Sequence, residues 1–148
     1  VPLQKDLKEF LQLLLSRKVE FVVVGAHAVA FHGHPRLTGD IDFLVRVNPE
    51  NAARLETVFR EFGFQGPPFV ASEFEKAGQV FQVGRPPNRI DVITAISGVS
   101  TEDVWRDRVP GKLSELDVSF ISRAQLLLNK SSTGRAKDLA DVETLNKR

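Results

Sequence analysis

Residues 24–45 read VGAHAVAFHGHPRLTGDIDFLV, and the two ends of this stretch decide how the rest of the chain is interpreted. At its upstream end, residues 20–24 (EFVVV) form a short β-branched apolar run that stops at Gly25, the pattern of a buried strand. Residues 26–32 are rich in good helix formers, which predicts a helix leaving that strand's end, and Gly33, His34 and Pro35 break it. At the downstream end, residues 40–47 (DIDFLVRV) predict a second strand. Side chains alternate along a strand, so Asp40 and Asp42 are expected on one face and Ile41 and Phe43 on the other. Two carboxylates this close raise one another's pKa unless a cation neutralises them.

The flanking sequence supplies layers for these strands. Upstream, Leu3, Leu7, Phe10, Leu11, Leu14 and Leu15 recur at three-and-four spacing, which predicts an amphipathic helix over 3–17. Downstream, Asn48-Pro49-Glu50 is a helix start, and that helix runs to about Phe62 before Gly63. Pro67-Pro68 marks a loop, and residues 72–76 a short helical piece. Residues 79–83 and 89–94 (RIDVIT) read as strands joined by a turn over 84–88, hence a hairpin. A short helix over 101–106, a strand over 116–121 and two final helices follow. The expected apolar faces of those helices are Ala124, Leu127 and Leu128, then Ala136, Leu139, Ala140, Val142 and Leu145. A hairpin beside strands joined through helices implies one α/β (α+β) domain over 1–148, with a mixed sheet flanked by helices.

Asp91 repeats the oddity of Asp40 and Asp42, because it interrupts the apolar run Ile90-Asp91-Val92. A lone Asp-x-Asp more often marks a solvated strand end; the third acid and the upstream glycine turn set this one apart. Three acids from neighbouring strands are candidate ligands for magnesium or manganese, hard ions that take carboxylates and complete their shells with water and phosphate oxygens. Two such ions would activate an attacking hydroxyl and stabilise leaving pyrophosphate. Gly25 lies between a strand and a helix, so the amides of Ala26 and His27 are candidate contacts for a triphosphate. Arg36, just before the acidic strand, is a candidate phosphate donor. His27, His32 and His34 do not make a zinc site, since no cysteine or further histidine completes the ligand set.

These residues resemble the signature of the polymerase-β-type nucleotidyltransferase superfamily: an apolar residue, Gly, then Gly or Ser, a short helix, and an Asp-x-Asp or Asp-x-Glu strand. Thirteen residues separate Ala26 from Asp40, at the long end of the family's range. The wording HGHPRLTGD over 32–40 and the ending GRAKDLADVETL over 134–145 look like the AbiEii-related branch, which includes bacterial proteins of unassigned function. The resemblance implies a nucleotidyltransferase fold and transfer of a nucleoside monophosphate from an NTP to an RNA, protein or small-molecule acceptor. In that reading Asp40, Asp42 and Asp91 are catalytic and metal-binding, with Asp91 nearest the acceptor hydroxyl as general base. Gly25, Ala26, Arg36 and Lys137 are nucleotide-binding. It also implies a toxin–antitoxin context, with tRNA or protein as possible acceptor and a cognate antitoxin as possible partner. Ala26 departs from the family pattern, since it offers an amide but no hydroxyl.

Composition narrows the classes further. Apolar residues make up 42% and charged residues 26% of 148, an ordinary globular balance. A net charge of +1 gives no global attraction to nucleic acid, and the absence of cysteine excludes disulfides and thiolate zinc sites. No run is long enough to span a membrane and the opening residues lack a signal-peptide layout, so a cytoplasmic protein is expected. The rival enzyme class with an Asp-x-Asp, the haloacid-dehalogenase phosphatases, is set aside because Phe43-Leu44 follows the acids and a glycine turn precedes them. A module of the same fold that binds nucleotide without transferring it is the alternative, for which Ala26 speaks.

Overall fold

A computed structural model describes residues 4–34 and 39–147. Its centre is a six-stranded mixed sheet in the order β3-β4-β2-β1-β6-β5. The strands are β1 (Phe21–Val24), β2 (Ile41–Val45), β3 (Val80–Val83), β4 (Ile90–Ile93), β5 (Val109–Leu113) and β6 (Leu116–Phe120). The helices are α1 (Lys5–Ser16), α2 (Ala26–Phe31), α3 (Pro49–Glu61), α4 (Ala71–Phe74), α5 (Thr101–Arg106), α6 (Arg123–Thr133) and α7 (Ala136–Asn146). β1 runs antiparallel to β2, β2 parallel to β4, and β1 parallel to β6, while β3–β4 and β5–β6 are antiparallel pairs. The chain is therefore an α+β domain with helices flanking a mixed sheet, as the sequence implied.

The two faces of the sheet differ in chemistry because the side-chain period of a strand is two. One face carries Phe21, Val23, Ile41, Phe43, Ile90 and Val92, all buried. The ring of Phe10 from α1 lies 6.0 Å from Phe43 and 5.2 Å from Phe59 of α3, so aromatic packing joins both helices to the sheet. The opposite face carries Asp42 and Asp91 between apolar neighbours. Four consecutive buried residues in β1 fit a strand covered on both sides.

A buried asparagine locks the ends of the two central strands to α3. The Asn51 side chain is fully buried, accepts from the Glu20 amide at 2.7 Å, and donates to the carbonyls of Glu20 at 3.0 Å and Arg46 at 2.8 Å. Asn48 caps the same helix by accepting from the Asn51 amide at 2.8 Å.

Three expectations change. Strand β5 was not anticipated, because Pro110 and Gly111 argue against a strand. It is an edge strand, where a missing amide donor is tolerated. A Cβ at Gly111 would stand 2.4 Å from the Phe31 ring and 2.8 Å from that of Phe120, two rings stacked with centroids 4.1 Å apart, so only glycine fits. The faces of the last two helices are also rotated in part: Leu145 of the expected face is fully buried and Leu127 packs against the core, beside a fully buried Leu126. Leu128 and Leu139 are 56% and 47% exposed, and Ala124, Ala136 and Ala140 are exposed too, while Lys130, Asp138 and Asp141 are buried. The buried side of α6 and α7 combines an ion-paired cluster with Leu126 and Leu145. Finally, β2 begins at Ile41, so Asp40 precedes the strand.

Replacing Asn51 by Ala removes three hydrogen bonds and leaves buried main-chain groups without partners. The expected cost is about 3 kcal/mol in urea unfolding. A cost below about 0.5 kcal/mol would show that the strand ends are held by other contacts.

Candidate functional site

Gly25, Asp42 and Asp91 lie in a row across the three central strands. The antiparallel register places Val24 opposite Asp42, and the parallel register places Asp42 beside Asp91. Gly25 then turns off the end of β1 at φ 72°, in the region glycine tolerates. A Cβ at this position would fall 2.0 Å from Asp42 Oδ2. The glycine is thus required twice over, by its backbone angle and by the carboxylate lying against its Cα. The amides of Ala26 and His27 open α2, where the first turn has no helical acceptors for them.

Burial and two nearby cations set the charge balance of the acid pair. Burial raises the pKa of Asp42 from 3.8 to about 7, reinforced by the hydrogen bond and charge of Asp91 and opposed by Arg89 and Lys130. Asp91 is 6% exposed and is gripped by the Arg89 guanidinium: Nε donates to Oδ1 at 2.9 Å and Nη2 to Oδ2 at 3.2 Å. Asp40 takes another role. Its Oδ1 accepts from the Arg89 amide at 2.8 Å, which fixes the turn into β4. Gly39 packs there too, since a Cβ on it would stand 1.8 Å from the Pro87 carbonyl oxygen.

Lys130 of α6 enters from the side. It is 7% exposed, and its Nζ lies 3.1 Å from both Asp138 Oδ1 and Asp141 Oδ2 of α7. Burial works against ionisation of Asp138, but donation from Thr133, Lys130 and Arg135 outweighs it and lowers its pKa to about 2. The two acids of the Lys-Asp-x-x-Asp ending therefore orient Lys130, and its charge reaches Asp42. Neither Lys130 nor Arg89 was singled out from sequence. The usable signal was a lysine within a helix followed by two acids at three-residue spacing, and an arginine two positions before Asp91.

The remaining expected residues divide. Gly25 and Ala26 stand at the acidic row, whereas Lys137 is exposed on α7 with no ion pair to Asp141 among the described residues. Arg36 lies outside the described residues. His27 hydrogen-bonds the Asp40 backbone, burial lowers its pKa, and its Nε2 is buried without a partner among the described residues. A groove of about 740 Å³ lined by Glu9, Leu13, Phe62, Val83 and Ile90 belongs to the other face of the sheet.

Asp42 and Asp91 place hard oxygen donors side by side, the residue type that could hold one divalent ion, with Arg89 on Asp91 in this structure. Among the described residues, no group of three or more His, Cys, Asp or Glu side chains converges to hold a metal. No described helix is long and apolar enough to cross a membrane. Comparison with protein-family models and with curated proteins finds no match.

Because the Asp42 pKa is raised in the folded protein, the native state holds a proton that the unfolded chain releases. That stabilisation is full below the ordinary aspartate range and is lost as pH rises through about 7. Asp42→Asn is expected to match the wild type near pH 4, gain on it between pH 4 and 7, and stay more stable above, in urea unfolding across pH. Asp91→Asn loses the Arg89 clamp and is expected to be less stable than Asp42→Asn throughout. An Asp42→Asn protein less stable than wild type at pH 8 would contradict the raised Asp42 pKa.

Proposed function

We propose that the chain is a metal-dependent nucleotidyltransferase of the nucleotidyltransferase fold, moving an NMP from an NTP to a hydroxyl acceptor. The observation that carries this reading is Gly25 packed on Asp42, with Asp91 beside it on the neighbouring strand. Asp42 and Asp91 would hold the divalent ion, magnesium or manganese, which when bound supplies charge neutralisation for the triphosphate and acidifies the acceptor hydroxyl.

The residues then have separable tasks. The acceptor oxygen attacks the α-phosphorus, the bond to the bridging oxygen breaks, and pyrophosphate leaves with that electron pair. The acceptor proton passes to Asp91 as general base, the role that the resemblance implies for it. Lys130, held by Asp138 and Asp141, sets a fixed positive charge beside the acids, where phosphate charge accumulates. The amides of Gly25 and Ala26 offer donors without a side-chain hydroxyl. A second ion would draw on Asp40, whose Oδ1 accepts from the Arg89 amide. RNA, protein and small-molecule hydroxyls all satisfy this chemistry, and a cytoplasmic, toxin-like enzyme with a cognate antitoxin is the setting we favour.

Incubation with each α-labelled NTP, magnesium and total cell extract, followed by separation of RNA, protein and small molecules, tests the reading. Label is expected on one acceptor class, falling at least about 100-fold in Asp42→Asn and Asp91→Asn. Transfer that survives both substitutions would overturn it. The Ala26 position and the Arg89 clamp favour a second reading, a module that binds nucleotide without turnover. Nucleotide binding with no pyrophosphate release under any acceptor would select that one.

A further inference from the structure

Arg89 immediately precedes β4, two residues before Asp91, and its side chain reaches that acid. Its guanidinium engages both oxygens of Asp91, and its own amide and carbonyl are tied to Asp40 Oδ1 at 2.8 Å and the Ile41 amide at 2.9 Å. The main chain is therefore anchored on both sides while the side chain is 31% exposed, against 8% for Asp91. Arg89 pairs with Asp91, whereas Lys130 and Arg135 pair with the acids of α7.

We infer that Arg89 is a placeholder cation, holding Asp91 in the metal-free protein, yielding it to a divalent ion, and then bonding the phosphates of the nucleotide that arrives with the ion. A guanidinium bonded to both oxygens of a carboxylate takes up one lone pair on each and sets its own positive charge against an incoming cation. Release of the side chain disturbs little packing, because the head group is the exposed end and the anchored main chain stays in place. The freed guanidinium then faces incoming phosphate oxygens, whose geometry its paired donors match as well as they match a carboxylate. This inference rests on the nucleotidyl-transfer reading for its ligand, the NTP, but its first half concerns the metal alone.

The test is a manganese titration read by electron paramagnetic resonance, with and without a nonhydrolysable NTP analogue, on wild type, Arg89→Gln and Arg89→Lys. Without nucleotide, Arg89→Gln is expected to bind manganese about tenfold more tightly than wild type, a change of about 1.4 kcal/mol. In the presence of the ion, its affinity for the analogue is expected to fall about tenfold, with Arg89→Lys between the two. These opposite signs separate a placeholder from a purely structural arginine, whose loss would weaken both or neither. Equal or weaker manganese binding by both Arg89 variants overturns the inference, as does analogue affinity unchanged by either substitution. Failure of the underlying reading looks different: neither wild type nor variant then binds manganese or analogue.

Discussion

The structure depends on one register. β1 and β2 pair antiparallel so that Val24 meets Asp42, and β2 and β4 pair parallel so that Asp42 meets Asp91. A one-residue slip on either side would send a carboxylate into the phenylalanine-lined face and an apolar residue to the acidic one. The register is secured by that other face. Ile41, Phe43, Ile90 and Val92 are buried against α1 and α3, and Phe10 touches both Phe43 and Phe59. Apolar packing on one side of the sheet thus forces two carboxylates together on the other. The electrostatic cost shows in the raised pKa of Asp42 and is offset locally by Arg89 on Asp91.

The same logic explains the rotated helices. Leu126 and Leu145 of α6 and α7 are fully buried, but apolar side chains alone do not answer the charge of an acidic face. α6 and α7 also bury Lys130 between Asp138 and Asp141, and turn Leu128 and Leu139 outward. Buried ion pairs of this kind contribute little net stability compared with apolar packing, so their presence is better understood as positioning a charge than as holding the fold. The fold is held by the phenylalanine layer, and the acidic row is carried on it.

Much of this was legible in the sequence because the central strands announce themselves. EFVVV before Gly25, DIDFLV and RIDVIT give both the strand positions and the anomalous acids, and the hairpin around residues 84–88 follows from its turn chemistry. What stayed hidden depended on tertiary contacts. Gly111 looks like a strand breaker until the stacked rings of Phe31 and Phe120 are placed beside it. Hydrophobic periodicity selected the leucine faces of α6 and α7, because it cannot register that a lysine and two aspartates satisfy one another across two helices. The division of labour among the three acids was hidden too, since only the turn geometry sends Asp40 to the Arg89 amide.

The central claim is that Asp42 and Asp91 form a cation site serving a nucleotide at the Gly25 turn. It is tested most directly by manganese-induced broadening of backbone amide resonances, recorded alone and with a nonhydrolysable NTP analogue. The account expects broadening centred on Gly25, Asp42 and Asp91, becoming stronger and extending to Ala26 and His27 when the analogue is present. Broadening centred instead on surface acids such as Asp6 and Glu9, unchanged by nucleotide, would contradict it.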